Sequence, residues 1–372
     1  MNKKIWLSPP HLTGEEQKYI KEAFDTNWIA PIGTNVDAFE KAICDYTKAK
    51  YCTVLSSGTA AIHLALIILG IKENDEIICP TFTFAATVNP VRYLKAIPIF
   101  VDSERDTFNM CPELLEKTIQ ARIAKGKKPK AILLVHIYGV PAKIKEIQEI
   151  AKQYEIPIIE DAADTLGATY KNKKIGTFGE IGIYSFNGNK IITTSGGGAL
   201  VANKKKYTNK AVFLATQARD KAAHYQHSEI GYNYRMSNVV AGIGRGQMEV
   251  IENRIQQRRR NYEYYKENLG QIKEITFTKE LENYYANRWL TTILTDTFKT
   301  REKIRFALAK ENIEARPLWK PMHLQPIFKN HPNYLNGVSE DLFNRGLCLP
   351  SGSNMSTKDL IKITNCIKKV SQ

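Results

Sequence analysis

Three short stretches of this sequence carry residue types that could do chemistry. Gly58-Thr59 follows the apolar run YCTVLSS and opens the run GTAAIHLALIILG. A strand-to-helix step there would aim free backbone N–H groups and a positive helix end at an anion such as a phosphate. An ordinary helix start with Ser57 as capping residue fits the same residues. Asp161 closes the apolar run IPIIE, where an acid is costly unless a cation or hydrogen-bond donor meets it. Capping of Thr165 or of the following turn would also meet that need. Lys190 lies just past GIYSF, behind Gly188 and ahead of TTSGGG. Lysine forms Schiff bases, and desolvation makes its amine nucleophilic; a plain surface-loop lysine is the competing reading.

Taken together the three are more specific than any one. A phosphate cradle, a strand-end acid and a Schiff-base lysine match the fixed handles of pyridoxal phosphate: its phosphate, its pyridine nitrogen and its aldehyde.

The elements that must position them can be read from the pattern. Between Tyr51 and Leu200, apolar runs of four to six residues (YCTVL, EIICP, IPIFVD, AILLVH, IPIIED, IGIYSF, GGALV) alternate with longer helical patterns such as FAATVNPVRYL and IKEIQEIAKQYE. That alternation predicts an α/β fold with a mainly parallel central sheet. Ligands in such sheets sit beyond the carboxyl ends of the strands. The residues there are Ser56 to Thr59, Pro80 to Phe84, His136, Asp161 and Ser185 to Lys190. A helical stretch from Ser237 to Gly270 leads into ITFTKELENYYANRWLTTILT, a helix near Arg301–Asn312 and RPLWKPMHLQP. We expect a large α/β domain over 1–250, including an N-terminal active-site segment, and a smaller α+β domain over 251–372.

Composition narrows the classes. With 372 residues, 43% of them hydrophobic and 24% charged, the chain can bury a large core and is neither low-complexity nor wholly disordered. MNKKIWLSPPH lacks a signal-peptide apolar region, and Ala60–Ile71 falls short of the roughly 20 residues a membrane span needs. A cytoplasmic protein without membrane contact is expected. The cysteines Cys44, Cys52, Cys79, Cys111, Cys348 and Cys366 form no CxxC pair and are expected as reduced core thiols. His63, His136 and His224 have no metal-ligand spacing, so no metal is expected. The net charge of +15 is spread along the chain, with dense runs only at Lys204–Lys206 and Arg258–Arg260. A solvated surface or a small anionic substrate accounts for it better than nucleic acid.

The segments SSGTAAIHLAL, PTFTFAAT, EDAADTLGATY, GTFGEIGIYSFNGNKIITTSGGGAL and GYNYRMSNVVAGIGRGQ occur in the order seen in the DegT/DnrJ/StrS sugar aminotransferases, and the chain resembles that family over nearly its whole length. The resemblance implies a fold-type I pyridoxal-phosphate transferase, a homodimer with shared active sites. It implies Lys190 as the lysine that bonds the cofactor's aldehyde and Asp161 as the partner of the pyridine nitrogen. Phe84 would stack on one face of the ring and Ala163 lie against the other. Gly58, Thr59 and Ser185 would hold the phosphate, with Asn233 reaching it from the second subunit. Asp164 departs from the family pattern, where Gln, His or Glu more usually stands near the cofactor's phenolic oxygen; a structural Asp on the first helical turn is the alternative. Lys190 separates the aminotransferases from the family's dehydratases, which carry His at this position.

Flanking pieces, LSPPHLTGEEQKYI, NWIAPIGTNVDAFE, EARPLWKPMH and LCLPSGSNMS, are similar to the bacillosamine-pathway branch that aminates a UDP-linked 4-keto-6-deoxy-N-acetylhexosamine. That similarity places Arg316, Lys320 and His323 near the nucleotide sugar and makes Trp28, Ile29 and Pro31 an active-site lip. Solvated surface charges and core packing are the respective alternatives. L-glutamate is the expected amino donor. A dTDP-linked keto sugar, another pyridoxal-phosphate chemistry on this fold and a non-catalytic basic binding protein are the rival readings.

Overall fold

The computed structural model describes residues 3–371; Met1, Asn2 and Gln372 lie outside the described residues. The apolar runs of the first half become the strands of an eight-stranded sheet. Its order is Tyr51–Leu55, Gly198–Ala202, Ile181–Ser185, Ile158–Asp161, Ala131–Val135, Glu76–Pro80, Ile97–Val101 and Asn333–Tyr334. Gly198–Ala202 runs antiparallel to both of its neighbours; the other strands share one direction. The central strands are buried almost throughout, as expected of a sheet covered on both faces.

Helices cover both faces. Gly58–Ile68 packs across the strands Tyr51–Leu55, Gly198–Ala202 and Ile181–Ser185 and against the helices Ala85–Tyr93 and Lys205–Ala215. It is apolar nearly all round because strands lie on one side and helices on the other. Ile144–Gln153 is instead strongly amphipathic, burying Ile144, Ile147 and Ala151 and leaving its charges to solvent. With Pro112–Ala124 it closes a separate apolar cluster around Ile99, Ile132 and Leu134.

The long helical stretch from Ser237 is two helices, Asn238–Met248 and Ile251–Leu269, because Val250 leaves helical dihedrals. Beyond it a four-stranded sheet (Ile275–Phe277, Thr291–Thr295, Gly346–Leu349, Arg316–Pro317) packs with the helices Phe298–Lys310 and Thr357–Ser371 around Ile293, Ile304, Leu347 and Ile363. Two pieces of this half return to the other: Asn333–Tyr334 is the far edge of the large sheet, and Tyr284–Tyr285 pairs with Thr169–Tyr170 in a three-stranded sheet. All six cysteines are free; Cys79, Cys111 and Cys348 are buried, while Cys44, Cys52 and Cys366 are only partly so.

Candidate active site

The carboxyl end of the large sheet opens into a cavity of about 870 Å³. Gly58, Thr59, Phe84, Asp161, Ala163, Asp164, Ser185 and Lys190 all line it. At its floor, Ser57 caps the helix Gly58–Ile68 by accepting from the Ala60 N–H at 3.0 Å. Gly58 and Thr59 line the cavity and, in the first helical turn, their N–H groups have no intrahelical acceptor, so the cap is present and the helix end is suited to an anion. Close approach is enforced by glycine: a Cβ on Gly198 would lie 2.4 Å from the Gly58 nitrogen. The Ser185 side chain sits beside Gly58, completing a hydroxyl-lined end.

Asp161, at the end of its strand, is buried. Its carboxylate accepts from the Thr87 hydroxyl at 2.7 Å and from the Ala163 N–H at 3.2 Å. Thr165 is not its partner, since the Thr165 N–H goes to the Ala162 carbonyl. Both partners of Asp161 are neutral, which leaves a buried carboxylate suited to a cationic N–H in the cavity. Thr87 escaped the sequence reading although it ends the PTFTFAAT segment; a hydroxyl one helical turn past Thr83, to which it bonds at 2.8 Å, was the available signal. Phe84 is half exposed above the floor, near Trp319.

Lys190 points between an acid and a ring. Its Nζ pairs with the Asp164 carboxylate and lies 4.2 Å from the centroid of Trp289. Asp164 is therefore no helix-turn ornament. Burial raises its carboxyl above the usual range, with Lys190 pulling the other way. Behind the loop, Arg258 donates to the carbonyls of Lys190, Trp289 and Ser351 and to Ser8 Oγ. It was expected on a solvated basic run but is 1% exposed. Burial pushes its guanidinium down to about 9, which leaves it cationic at neutral pH. No spacing rule marks a cation that bonds only carbonyls and a hydroxyl.

Next to Asp161, Glu160 is buried and accepts from the Phe178 and Gly179 N–H groups at 2.5 Å, from Gly176 at 2.9 Å and from His136 Nε2 at 3.2 Å. His136 Nδ1 accepts from the Ala142 N–H, so its Nε2 carries the proton. Burial pushes the Glu160 carboxyl up, but His136 and the backbone donors outweigh it and hold it below the usual range.

The candidate substrate residues divide. Arg316 lines the cavity, yet its guanidinium already forks onto Glu314, at 2.6 and 2.8 Å, and Glu314 also accepts from the Leu7 N–H. His323 lies outside the lining and is buried, bridging Thr81 Oγ1 at 2.6 Å and Glu340 at 3.2 Å, which reads as a brace between the sheet and the Met322–Leu324 turn. Lys320 is exposed outside the lining. Trp28, Ile29 and Pro31 are also exposed and outside it; the carbonyls of Trp28 and Ala30 accept from Asn238. Asn233 is exposed as well, although its neighbours run along the floor: Leu55 bridges Arg235, and the Ser56 N–H donates to the Tyr234 carbonyl. The lining also holds Trp6 to Pro10, which lie in the expected N-terminal active-site segment, and two residues the sequence does not single out, Trp289 and Trp319. His63 packs among tyrosines and His224 is exposed; no cluster of metal-ligating side chains occurs among the described residues.

An anion-binding helix end with a hydroxyl beside it, a buried carboxylate lacking a cation and an amine held over the same cavity fit pyridoxal phosphate, and with the α/β sheet they define a fold-type I pyridoxal-phosphate enzyme. Residues 10–368 match the DegT/DnrJ/EryC1/StrS aminotransferase family, and the chain belongs to that family, with pyridoxal phosphate as its cofactor. It is 52% identical over 360 residues to EpsN of Bacillus subtilis, inferred to be a pyridoxal phosphate-dependent aminotransferase, covering 96% of this chain and 93% of that one. It is 38% identical over 371 residues to a GDP-perosamine synthase of Escherichia coli O157:H7 (99% and 98% covered). Against a UDP-4-amino-4,6-dideoxy-N-acetyl-beta-L-altrosamine transaminase of Campylobacter jejuni the identity is 32% over 333 residues (88% and 87%). A solved DegT/DnrJ/EryC1/StrS aminotransferase from Brucella abortus has a TM-score of 0.90 at 28% identity, over 96% of this chain and 95% of that one.

Proposed function

We propose that this chain is a cytoplasmic homodimer that transfers the amino group of L-glutamate to a nucleotide-linked 4-keto-6-deoxy sugar, with a UDP-linked N-acetylhexosamine as substrate. The observation that carries the aminotransfer is the convergence of Lys190, Asp161 and the Gly58–Thr59 helix end on one cavity large enough for cofactor and sugar together. The UDP-linked sugar rests on the similarity of the flanking segments to that branch. The relative named GDP-perosamine synthase, matched over nearly the whole chain, favours a GDP-linked sugar as the second reading.

Pyridoxal phosphate supplies an electron sink that stores the amino group between the two half-reactions. The chain does the rest. Gly58, Thr59 and Ser185 bind the phosphate through N–H and hydroxyl donors. Asp161, oriented by Thr87 and Ala163, holds a proton on the pyridine nitrogen by its negative charge. Phe84 and Ala163, both in the lining, would bracket the ring. Lys190, whose amine lies over the same cavity, would move a proton to or from the substrate carbon. Arg316 must exchange Glu314 for a substrate oxygen or phosphate if it is to bind the sugar.

The homodimer accounts for the residues left outside the cavity. Trp28, Ile29 and Ile230 are large exposed apolar side chains, and Asn233 is exposed on a segment that borders the floor; each suits a role toward a second copy. Mixing a Lys190→Ala subunit with an Asn233→Ala subunit should restore activity, because one site of the heterodimer then carries neither fault. Verified heterodimers without activity would sink the shared site. The substrate is tested by giving the purified enzyme glutamate with a UDP-linked 4-keto-6-deoxy-N-acetylhexosamine, a GDP-linked 4-keto-6-deoxyhexose or a dTDP-linked 3-keto sugar. Mass spectrometry should find amination of the UDP sugar at the highest kcat/KM, and preference for another sugar rejects that assignment.

A further inference from the structure

Asp164 makes a contact that the cofactor's handles do not require. Its carboxylate is 4% exposed, accepts from the Tyr138 N–H at 3.2 Å and pairs directly with Lys190 Nζ. Asn287 fixes the arrangement from behind: its Nδ2 donates to the Asp164 carbonyl at 2.9 Å, and its Oδ1 accepts from the Trp289 N–H at 2.9 Å. One side chain thus sets both walls of the slot that holds the amine. The amine lies between an anion and a π face, and both favour its cationic form.

We propose that Asp164 is a positioning residue that holds positive charge on the Lys190 nitrogen, in the free amine and again once that nitrogen is bonded to the cofactor's carbonyl carbon. A nitrogen kept cationic makes the attached carbon a better electrophile for the incoming amine. An uncharged amide at position 164 could hydrogen-bond in the same place but could not supply this charge, so the acid extends the working range toward higher pH. The other groups facing the pair do not replace it. Asp161 adds negative charge but bonds Thr87 and Ala163, and Arg258 acts in the opposite sense from behind the loop. The Tyr138 hydroxyl and the Cys348 thiol are buried and pushed up by burial, hence neutral.

The inference rests on Lys190 as the cofactor lysine, and the test separates the two claims. In the full-length chain freed of cofactor, Lys190 is acetylated with acetic anhydride over a pH series and followed by peptide mass spectrometry. In the holoenzyme, the pH midpoint of the visible absorption band is followed in parallel. Removing an adjacent anion should lower both midpoints in Asp164→Asn by about one to three pH units. At a fixed pH below the midpoint, labelling then becomes roughly tenfold faster or more. Asp164→Glu should restore much of each shift, a rescue that a merely structural role would not give. Unchanged midpoints in a folded Asp164→Asn protein would overturn the proposal. Should that variant not fold, Asp164→Ser takes its place: a midpoint below wild type in the serine variant and not in Asp164→Glu supports the pairing, and equal midpoints in all three contradict it. A wild-type holoenzyme with no visible band would instead remove Lys190 from its cofactor role and leave the ion pair standing.

Discussion

On the floor of the cavity Asp161, Ser185 and the Gly58–Thr59 helix end come from the ends of strands in one sheet, whereas on the rim Trp6 comes from the N-terminal segment and Arg316 and Trp319 from a segment about 310 residues further on. Floor residues are buried, or have hydrogen-bond partners that the sheet itself supplies. Rim residues are held by one another, as Arg316 is by Glu314 and Glu314 by Leu7. Under the proposed function, chemistry common to every turnover would sit where backbone geometry is least negotiable, and substrate choice where a few side-chain exchanges can alter it.

The contrast can be broken most severely at Lys190. Lys190→Ala should lower kcat in both half-reactions by at least about 10²–10⁴-fold while circular dichroism still shows the wild-type fold, since the loss is one of chemistry and not of secondary structure. Comparable losses from any rim variant would erase the distinction.

Glu160 probes support beneath the floor. Glu160→Gln replaces a buried carboxylate that accepts from three backbone N–H groups and the His136 Nε2–H with a neutral amide, and should destabilise the fold by about 1–3 kcal/mol, measured by denaturant unfolding. The folded carboxyl lies below its unfolded value, so its contribution is present above the unfolded pKa of about 4.3 and fades as pH falls through the folded one. The stability gap between wild type and Glu160→Gln should therefore persist at neutral pH and close in acid. A gap that widened in acid would reverse the assigned charge.

At the rim, Arg316→Ala should cost roughly 1.5–3 kcal/mol in kcat/KM for the keto sugar, about tenfold to hundredfold, and much less in the glutamate half-reaction. Equal losses in both would move Arg316 to the floor side of the comparison. His323 lies off the rim in this structure, so His323→Ala should lower stability by about 1–3 kcal/mol through the unpaired Thr81 and leave KM for the sugar nearly unchanged. A selective rise in that KM would return His323 to the substrate.

Legibility followed the same division. The seven strands that the large sheet takes from Tyr51 to Ala202 were readable because each is a short apolar run, and the positions just past them pointed to Asp161, Ser185 and Lys190. The break near Val250 carries no proline or glycine, so the helical pattern ran through it. Asn333–Tyr334 is two residues long and borrows its pairing from Phe100 and Val101, which leaves no periodicity to detect. Arg258 stands beside two other arginines, and only tertiary packing tells the buried one from its neighbours. Trp28, Ile29, Pro31 and Asn233 were marked by family resemblance rather than by pattern, and their setting within one chain is solvent.

The account stands or falls on which amine holds the cofactor. Borohydride reduction of the holoenzyme, digestion and peptide mass spectrometry should find one pyridoxyl group, on Lys190, and none on the Lys190→Ala protein. A pyridoxyl group fixed to any other lysine, or an equal yield from Lys190→Ala, would contradict it.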